Sequence, residues 1–268
     1  MRKILVTVLS LILTFSLIGA NAEGTLRVAM ECNYAPYNWT QAEANEFTVP
    51  IEGGAGYADG YDVQIARAIA EGLDKELVIV KTEWDGLAMG VVSGVFDLII
   101  AGMSPTAERK QTIDFSDPYY QSQLVLVVQK DGPYAEAKTL ADFSGAVVTA
   151  QLNTFHYTVI DQIPNVNKAM AMNTFPEMIV ALNSGVIDAY VAEEPGAVAD
   201  TTANPSLTYI RFEEGLGFAA SEEDTSIAVG LQKGSDLLEP INEILNNLNE
   251  ETKLQLMLDA TDRQPLMQ

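Results

Sequence analysis

Short apolar runs alternate along the chain with stretches in which apolar residues return every third or fourth position. Leu26–Met30 and Leu77–Lys81 read as strands, and between them Tyr61, Ile65, Ile69 and Leu73 share one helical face. Strand, helix and strand in that order predict a βαβ unit on a parallel sheet. Phe96–Ala101 continues the sheet, and Gln123–Gln129, rich in Val and Leu, is the next strand. The pattern then restarts. Ala146–Ala150 predicts a strand, and Phe175, Met178, Ile179 and Leu182 form the apolar face of a helix. That helix has a marked start, with Thr174 as N-cap, Pro176 at its beginning and Glu177 as the capping-box acid. Ser226–Leu231 is a last strand, and Leu237, Ile241, Ile244, Leu245 and Leu248 give a final amphipathic helix.

An internal echo points to two similar halves. Ser93-Gly94-Val95-Phe96-Asp97 and Ser184-Gly185-Val186-Ile187-Asp188 both follow a helix and lead into an apolar strand. If the echo is structural, Gly102 and Glu193, each five residues past the aspartate, lie at matching carboxyl ends of strands, where open α/β sheets bind ligands. The expected architecture is α/β, with two lobes, each a mainly parallel sheet flanked by helices. Lobe 1 takes residues 23–121 and 225–268 and lobe 2 takes 122–224, joined by strand-like hinges near Tyr120–Leu124 and Asp224–Ile227.

The first 22 residues stand apart. Arg2 and Lys3 precede an apolar run from Ile4 to Ile18, followed by Ala20-Asn21-Ala22, which is the pattern of a cleaved secretory signal peptide. The run is shorter than the ~20 residues that span a bilayer, and no Cys follows it to carry a lipid. A periplasmic location is expected. Without Arg2 and Lys3 the chain keeps 13 basic against 37 acidic residues, a formal charge of −24. Nucleic acid is thereby excluded as a natural partner, while a cationic small molecule is favoured. One Cys cannot form an internal disulfide, so the fold must rest on its hydrophobic core.

Chemistry of the catalytic kind has little material. His156 and Cys32 are the only residues of their types, and no nucleophile elbow, zinc-binding helix or phosphate loop is present. No catalytic residue, metal or cofactor is expected, and Gly53-Gly54-Ala55-Gly56 reads as a surface loop. The informative segment is Gly102-Met103-Ser104-Pro105-Thr106-Ala107-Glu108-Arg109, directly after a strand. Ser104 as cap and Pro105 as first residue predict a helix whose free N–H groups face an anion, with Arg109 able to hold a carboxylate bidentately. The alternative is a surface arginine paired with Glu108 or Asp114.

The chain resembles the family 3 extracellular solute-binding proteins, the amino-acid receptors of ABC importers, over nearly the whole sequence after the signal peptide. The matching segments are Leu26-Arg27-Val28, Tyr34-Ala35-Pro36-Tyr37, Gly60-Tyr61-Asp62-Val63, Trp84-Asp85-Gly86-Leu87, Ser93–Asp97, Gly102–Arg109 and Asp114-Phe115-Ser116-Asp117-Pro118-Tyr119-Tyr120. The resemblance implies a type II periplasmic binding fold closing by hinge motion and delivering its ligand to a membrane permease. It implies that Arg109, Gly102 and Ser104 hold the ligand α-carboxylate and that Glu193, where an Asp is usual, holds the α-ammonium. Gln151-Leu152-Asn153-Thr154 is similar to a Gln-x-Gly-Thr-Thr stretch with the glycine replaced, and Thr154 is implied as a further carboxylate contact. Tyr34 and Trp84 match aromatic positions that flank the ligand side chain.

Glu31 stands where receptors for basic amino acids carry an acid, so arginine or lysine is the expected ligand of a monomeric carrier. A receptor for a neutral amide such as glutamine is the alternative, as is a dehydratase-like enzyme of the cyclohexadienyl type on the same scaffold, using Glu31 or Glu193 as acid. A sensory module acting through a separate receptor is a third. Cys32 is expected in the core, and His156 at the rim or surface.

Overall fold

The computed structural model describes residues 24–54 and 56–265, so the signal peptide expected over 1–22 lies outside the described residues. Along the chain come β1 (Thr25–Met30), helix α1 (Tyr61–Gly72), β2 (Glu76–Lys81), helix α2 (Trp84–Val92), β3 (Leu98–Ile99) and β4 (Ile113–Phe115). The second series is β5 (Leu124–Gln129), β6 (Val147–Thr149), helix α3 (Phe155–Val159), β7 (Asn167–Lys168), helix α4 (Phe175–Asn183), β8 (Ala189–Glu193), helix α5 (Glu194–Ala203) and β9 (Leu207–Ile210). The chain then returns with β10 (Gly230–Gln232), helix α6 (Leu238–Asn247) and helix α7 (Glu250–Arg263).

These strands form two five-stranded sheets, ordered β2-β1-β3-β10-β4 and β7-β6-β8-β5-β9. Both follow one scheme. Two parallel pairings, β1 with β2 and β3 in one sheet and β6 with β7 and β8 in the other, come from strands joined through helices. Two antiparallel pairings complete each sheet, made by β10 in the first and β5 in the second. Each sheet is therefore mixed where a mainly parallel one is expected. The reason is connectivity: β10 and β5 arrive by crossing from the other sheet, not through a right-handed βαβ crossover, so nothing forces them parallel.

The two crossings run side by side. Tyr120–Gln121 pairs antiparallel with Ser226–Ile227, at the two places expected for hinges. Gln121 ties them further, its Nε2 donating to Thr225 Oγ1 (2.7 Å) and its Oε1 accepting from Ser226 Oγ (2.8 Å).

The echo is structural. Asp97 N donates to the Arg27 carbonyl while Arg27 N donates to Asp97 Oδ2, and Asp188 and Val147 exchange the same two bonds. Gly94 and Gly185 adopt φ of 71° and 72°, ending α2 and α4 with the left-handed residue of a Schellman cap. The capped strand is shorter than predicted, since β3 keeps only Leu98–Ile99, although Asp97 and Ile100 each add one backbone bond to β1.

The start of α4 also differs in detail. Thr174 Oγ1 accepts from Glu177 N (3.3 Å), as a cap should, but the Glu177 carboxylate reaches Asn173 N (2.9 Å), one residue ahead of the cap. Between β1 and α1 lies a small sheet of Asn33–Tyr34, Asn38–Gln41, Val49–Pro50 and Tyr57–Asp59. Gly53 and Gly54 sit at its tip in the open, as a surface loop. Gly60, at φ 130°, is held so close to the Tyr37 carbonyl that a Cβ would collide with it.

Burial follows the strand period. Val125, Val127, Tyr190 and Ala192 pack into a cluster shared with the first sheet, whereas Leu124, Leu126, Val128, Ala189 and Val191 face a second cluster around Phe143. The second sheet is thus covered on both sides, which accounts for its near-continuous apolar strands. Cys32 is in the core, as expected, with burial pushing its thiol up to about 12.

Candidate functional site

The residues singled out from sequence gather at the carboxyl ends of the parallel strands. Glu31 directly follows β1, Trp84 opens α2 after β2, and Gly102, Ser104 and Arg109 lie on the loop after β3. From the other sheet, Thr154 precedes α3 after β6, and Glu193 ends β8. Gly102 and Glu193 therefore occupy the matching positions that the echo implies.

The Gly102–Arg109 segment is not the helix start that Ser104 and Pro105 suggest. No helix begins there; a turn leads into a short 3-10 helix at Arg109–Gln111. Side-chain bonding explains the difference. Arg109 Nη1 donates to the Ser104 carbonyl (2.9 Å) and Thr106 Oγ1 accepts from Arg109 N (3.3 Å), so Thr106 caps the turn and the guanidinium clasps its own loop. Behind the loop, the buried Asp62 carboxylate accepts from Asn38 Nδ2 (2.8 Å), Tyr119 Oη (2.7 Å) and the Gly102 backbone. Asp62 thus fixes the first residue of the Gly102–Arg109 segment.

Arg109 remains a cation in a dry place. Burial pushes its guanidinium down to about 10, against the pull of Glu193 and Glu108. Its guanidinium carbon stands 5.0 Å from the centre of the Trp84 ring, a cation–π contact. Across the pocket, Arg109 Nη2 and Trp84 Nε1 both donate to the Asn153 carbonyl at 3.4 Å. Asn153 holds the left-handed conformation, φ 56°, at the position of the replaced glycine. Asn tolerates it better than most residues. Its Nδ2 also donates to Asp85 Oδ1 (2.8 Å). Thr154 is buried and donates from Oγ1 to the Gln151 carbonyl (2.7 Å).

Two buried acids stand behind the pocket lining. Glu31 accepts from Gln151 Nε2 at 3.2 and 3.3 Å. Burial raises its carboxyl to about 7; the Gln151 bond opposes this, and nearby Glu83 and Asp85 add to it. Glu193 accepts from Tyr34 Oη (3.1 Å) and lies 3.6 Å from His156 Nε2. Tyr34 itself is covered on both faces, by Tyr37 at 4.9 Å and Phe175 at 4.3 Å between ring centres.

The pocket is lined by Tyr34, Trp84, Gly102, Ser104 and Arg109 on one side and by Gln151, Thr154, Phe155, His156 and Phe175 on the other. Six of the eight expected site residues are thus on the wall, and Glu31 and Glu193 are reached through Gln151, Tyr34 and His156. Sequence reasoning missed Phe155 and Phe175, and placed His156 at the rim or surface. Phe175 carries the signal of a core-facing helix start, and only tertiary structure shows that it meets Tyr34.

A family model for bacterial extracellular solute-binding proteins, family 3, matches residues 26–260. The chain belongs to this family. A probable histidine-binding protein of Campylobacter jejuni is 30% identical over 225 residues, covering 83% of this chain and 79% of that protein. Among solved structures, an amino acid ABC transporter substrate-binding protein of Streptococcus pneumoniae bound to L-arginine superposes with a TM-score of 0.75. It is 27% identical, over 89% of this chain and 94% of that one. An ancestral arginine-binding protein bound to glutamine gives a TM-score of 0.72 at 28% identity, covering 88% and 97%. As a family 3 solute-binding protein, the chain has the two-lobed, type II periplasmic binding fold. Among the described residues no group of three or more His, Cys, Asp or Glu is placed to hold a metal ion, and no helix is long and apolar enough to cross a membrane.

Proposed function

We propose that this solute-binding protein captures an L-amino acid with a basic side chain, arginine or lysine, and hands it to an ABC permease from the periplasm. The observation that carries this reading is the charge content of the site. It offers one partly buried cation, Arg109, and two buried carboxyls, Glu193 and Glu31, whose hydrogen-bond donors are the neutral Tyr34 and Gln151. A basic amino acid is the complement: one carboxylate and two cationic groups. Arg109 with Gly102, Ser104 and Thr154 takes the carboxylate, Glu193 the α-ammonium and Glu31 the distal charge.

In this reading the lobes are residues 23–121 with 225–268, and 122–224, and they move about the paired strands at 120–121 and 226–227. Arg109 and Glu193 come from opposite lobes, so a ligand carrying both charges favours the closed form. The Asn153 carbonyl and the Gln151 amide hold the places that ligand groups take, and opening frees Arg109 and Glu31. Phe175 must leave the face of Tyr34 if that ring is to flank a side chain.

One observation favours a neutral ligand instead. The group that meets Glu31 is an amide, Gln151, and a ligand amide makes the same bond. Thermal unfolding of ligand-stripped protein against a panel of L-amino acids separates the two. At a thousand times its Kd a true ligand adds about 4 kcal/mol and raises the midpoint by several degrees. A shift with arginine or lysine supports the basic reading, one with glutamine alone replaces it, and no shift with any amino acid rejects both.

A further inference from the structure

The loop at 151–153 and the start of α4 are bonded into one unit. Leu152 N donates to the Met172 carbonyl (2.8 Å), Met172 N to the Ala150 carbonyl (3.1 Å) and Gln151 Nε2 to the Asn173 carbonyl (3.0 Å). Three groups of this unit enter the pocket from the side of the second sheet. The Gln151 amide donates to Glu31, the Asn153 carbonyl accepts from Arg109 Nη2 and Trp84 Nε1, and the Phe175 ring lies on Tyr34, 13° from parallel. A donor for the buried acid, an acceptor for the cation and a flat group for the aromatic face are together what an amino acid with a planar polar side chain presents. The space left among the lining residues is about 10 Å³, at the lower limit for one water and far too small for an amino acid.

We propose that this unit is a built-in stand-in for the ligand: it seals the unliganded pocket, an amino acid binds only by displacing it, and Gln151, Asn153 and Phe175 thereby limit the receptor's affinity. This rests on the amino-acid reading given above and adds to it a closed form that needs no ligand. Bond lengths favour the exchange. Both bonds to the Asn153 carbonyl are 3.4 Å, near the far end of hydrogen-bonding range, and Glu31 is met by a neutral amide at 3.2 and 3.3 Å. A ligand carboxylate forks onto the Arg109 guanidinium with charge-assisted bonds, which are shorter and stronger. Only the unsealed fraction of the unliganded protein is competent, so the apparent Kd exceeds the intrinsic one by the reciprocal of that fraction. Loosening the unit therefore tightens binding, the opposite of what losing a ligand contact does.

Asn153→Gly and Phe175→Leu loosen the unit in different ways. Glycine adopts φ 56° freely and keeps the carbonyl, but it removes the Nδ2 bond to Asp85 (2.8 Å), which ties the unit to α2 and ends when the unit withdraws. Leucine keeps apolar volume without the stacked ring. Ligand-stripped wild type and both variants are compared by small-angle X-ray scattering, and by calorimetric titration with L-arginine and L-glutamine. Wild type is expected to be as compact without ligand as with it, and both variants to be larger without ligand and to contract on binding. Whichever probe wild type binds is expected to bind N153G at least about threefold more tightly, and F175L no more weakly than wild type. Unliganded wild type larger than its liganded form, or N153G binding no more tightly than wild type, overturns the seal while leaving the receptor intact. If F175L does not fold, N153G decides alone. Neither wild type nor N153G binding any L-amino acid removes the amino-acid reading, and this inference with it.

Discussion

At the scale of single residues, the site is an arrangement of charges that the chain has drawn out of water. In the proposed reading Arg109→Ala removes the cation that takes the ligand carboxylate and leaves the acids unopposed, so a loss of affinity of at least about a hundredfold is expected, with Arg109→Lys intermediate because the bidentate fork is lost. Isothermal titration reads both. If Glu31 takes the distal charge as proposed, it sets a pH dependence. Its carboxyl is raised to about 7, so it is mostly neutral at pH 5.5 and ionised at pH 8, and affinity for L-arginine should rise as pH passes upward through 7. Glu31→Gln should flatten that rise.

Stability runs the other way. Glu31, Asp62 and Asp200 are all raised to about 7 by burial, well above the ordinary carboxylate range. The folded protein therefore keeps protons that the unfolded chain has lost between about pH 4 and 7. The stability these groups contribute is present below their unfolded values and lost as pH rises through 7. The unliganded protein is expected to melt at higher temperature at pH 5.5 than at pH 8; a midpoint rising over that range contradicts the assignment of these three carboxyls. Arg109 was legible because a Ser-Pro-Thr turn and an arginine share one short segment. Phe175 against Tyr34 was not, because the two are brought together only by the meeting of distant elements.

At the scale of elements, the amphipathic helices and apolar strands were readable wherever a period persisted for several turns, as in α1, α4 and α6. The cap of α4 gives a local prediction: Thr174→Ala removes the acceptor of Glu177 N and should cost about 1 kcal/mol, a fall of roughly 2–4 °C in melting temperature. No fall at all contradicts the cap. Two features escaped sequence reasoning for physical reasons. The turn at Arg109 is organised by its own side chain bonding back to the Ser104 carbonyl, a tertiary-like contact that cap rules do not describe. The four short strands between Asn33 and Asp59 are too brief to show a two-residue period, and their sheet is held by pairing with one another. The echo around Asp97 and Asp188 was legible for the opposite reason: one cap and one strand entry need the same residues wherever they occur.

At the scale of the molecule, the division into two sheets was visible in the restart of the pattern near Ala146, but the mixed strand directions were not, because direction depends on which connection crosses. The full chain carries a formal net charge of −22. Association with a cationic ligand should therefore slow as salt rises, while association with glutamine should hardly change, which stopped-flow mixing would show. In the proposed reading the paired strands at 120–121 and 226–227 give the lobes a common axis, and closure around a ligand depends on one that bridges Arg109 on one side and Glu193 on the other. Calorimetric titration with L-arginine and with agmatine, the same molecule without its carboxylate, tests that bridge most directly. L-arginine is expected to bind at least about a hundredfold more tightly than agmatine. Agmatine binding within about tenfold of L-arginine, or neither binding at all, would contradict an account in which Arg109 and Glu193 close the protein around a zwitterion.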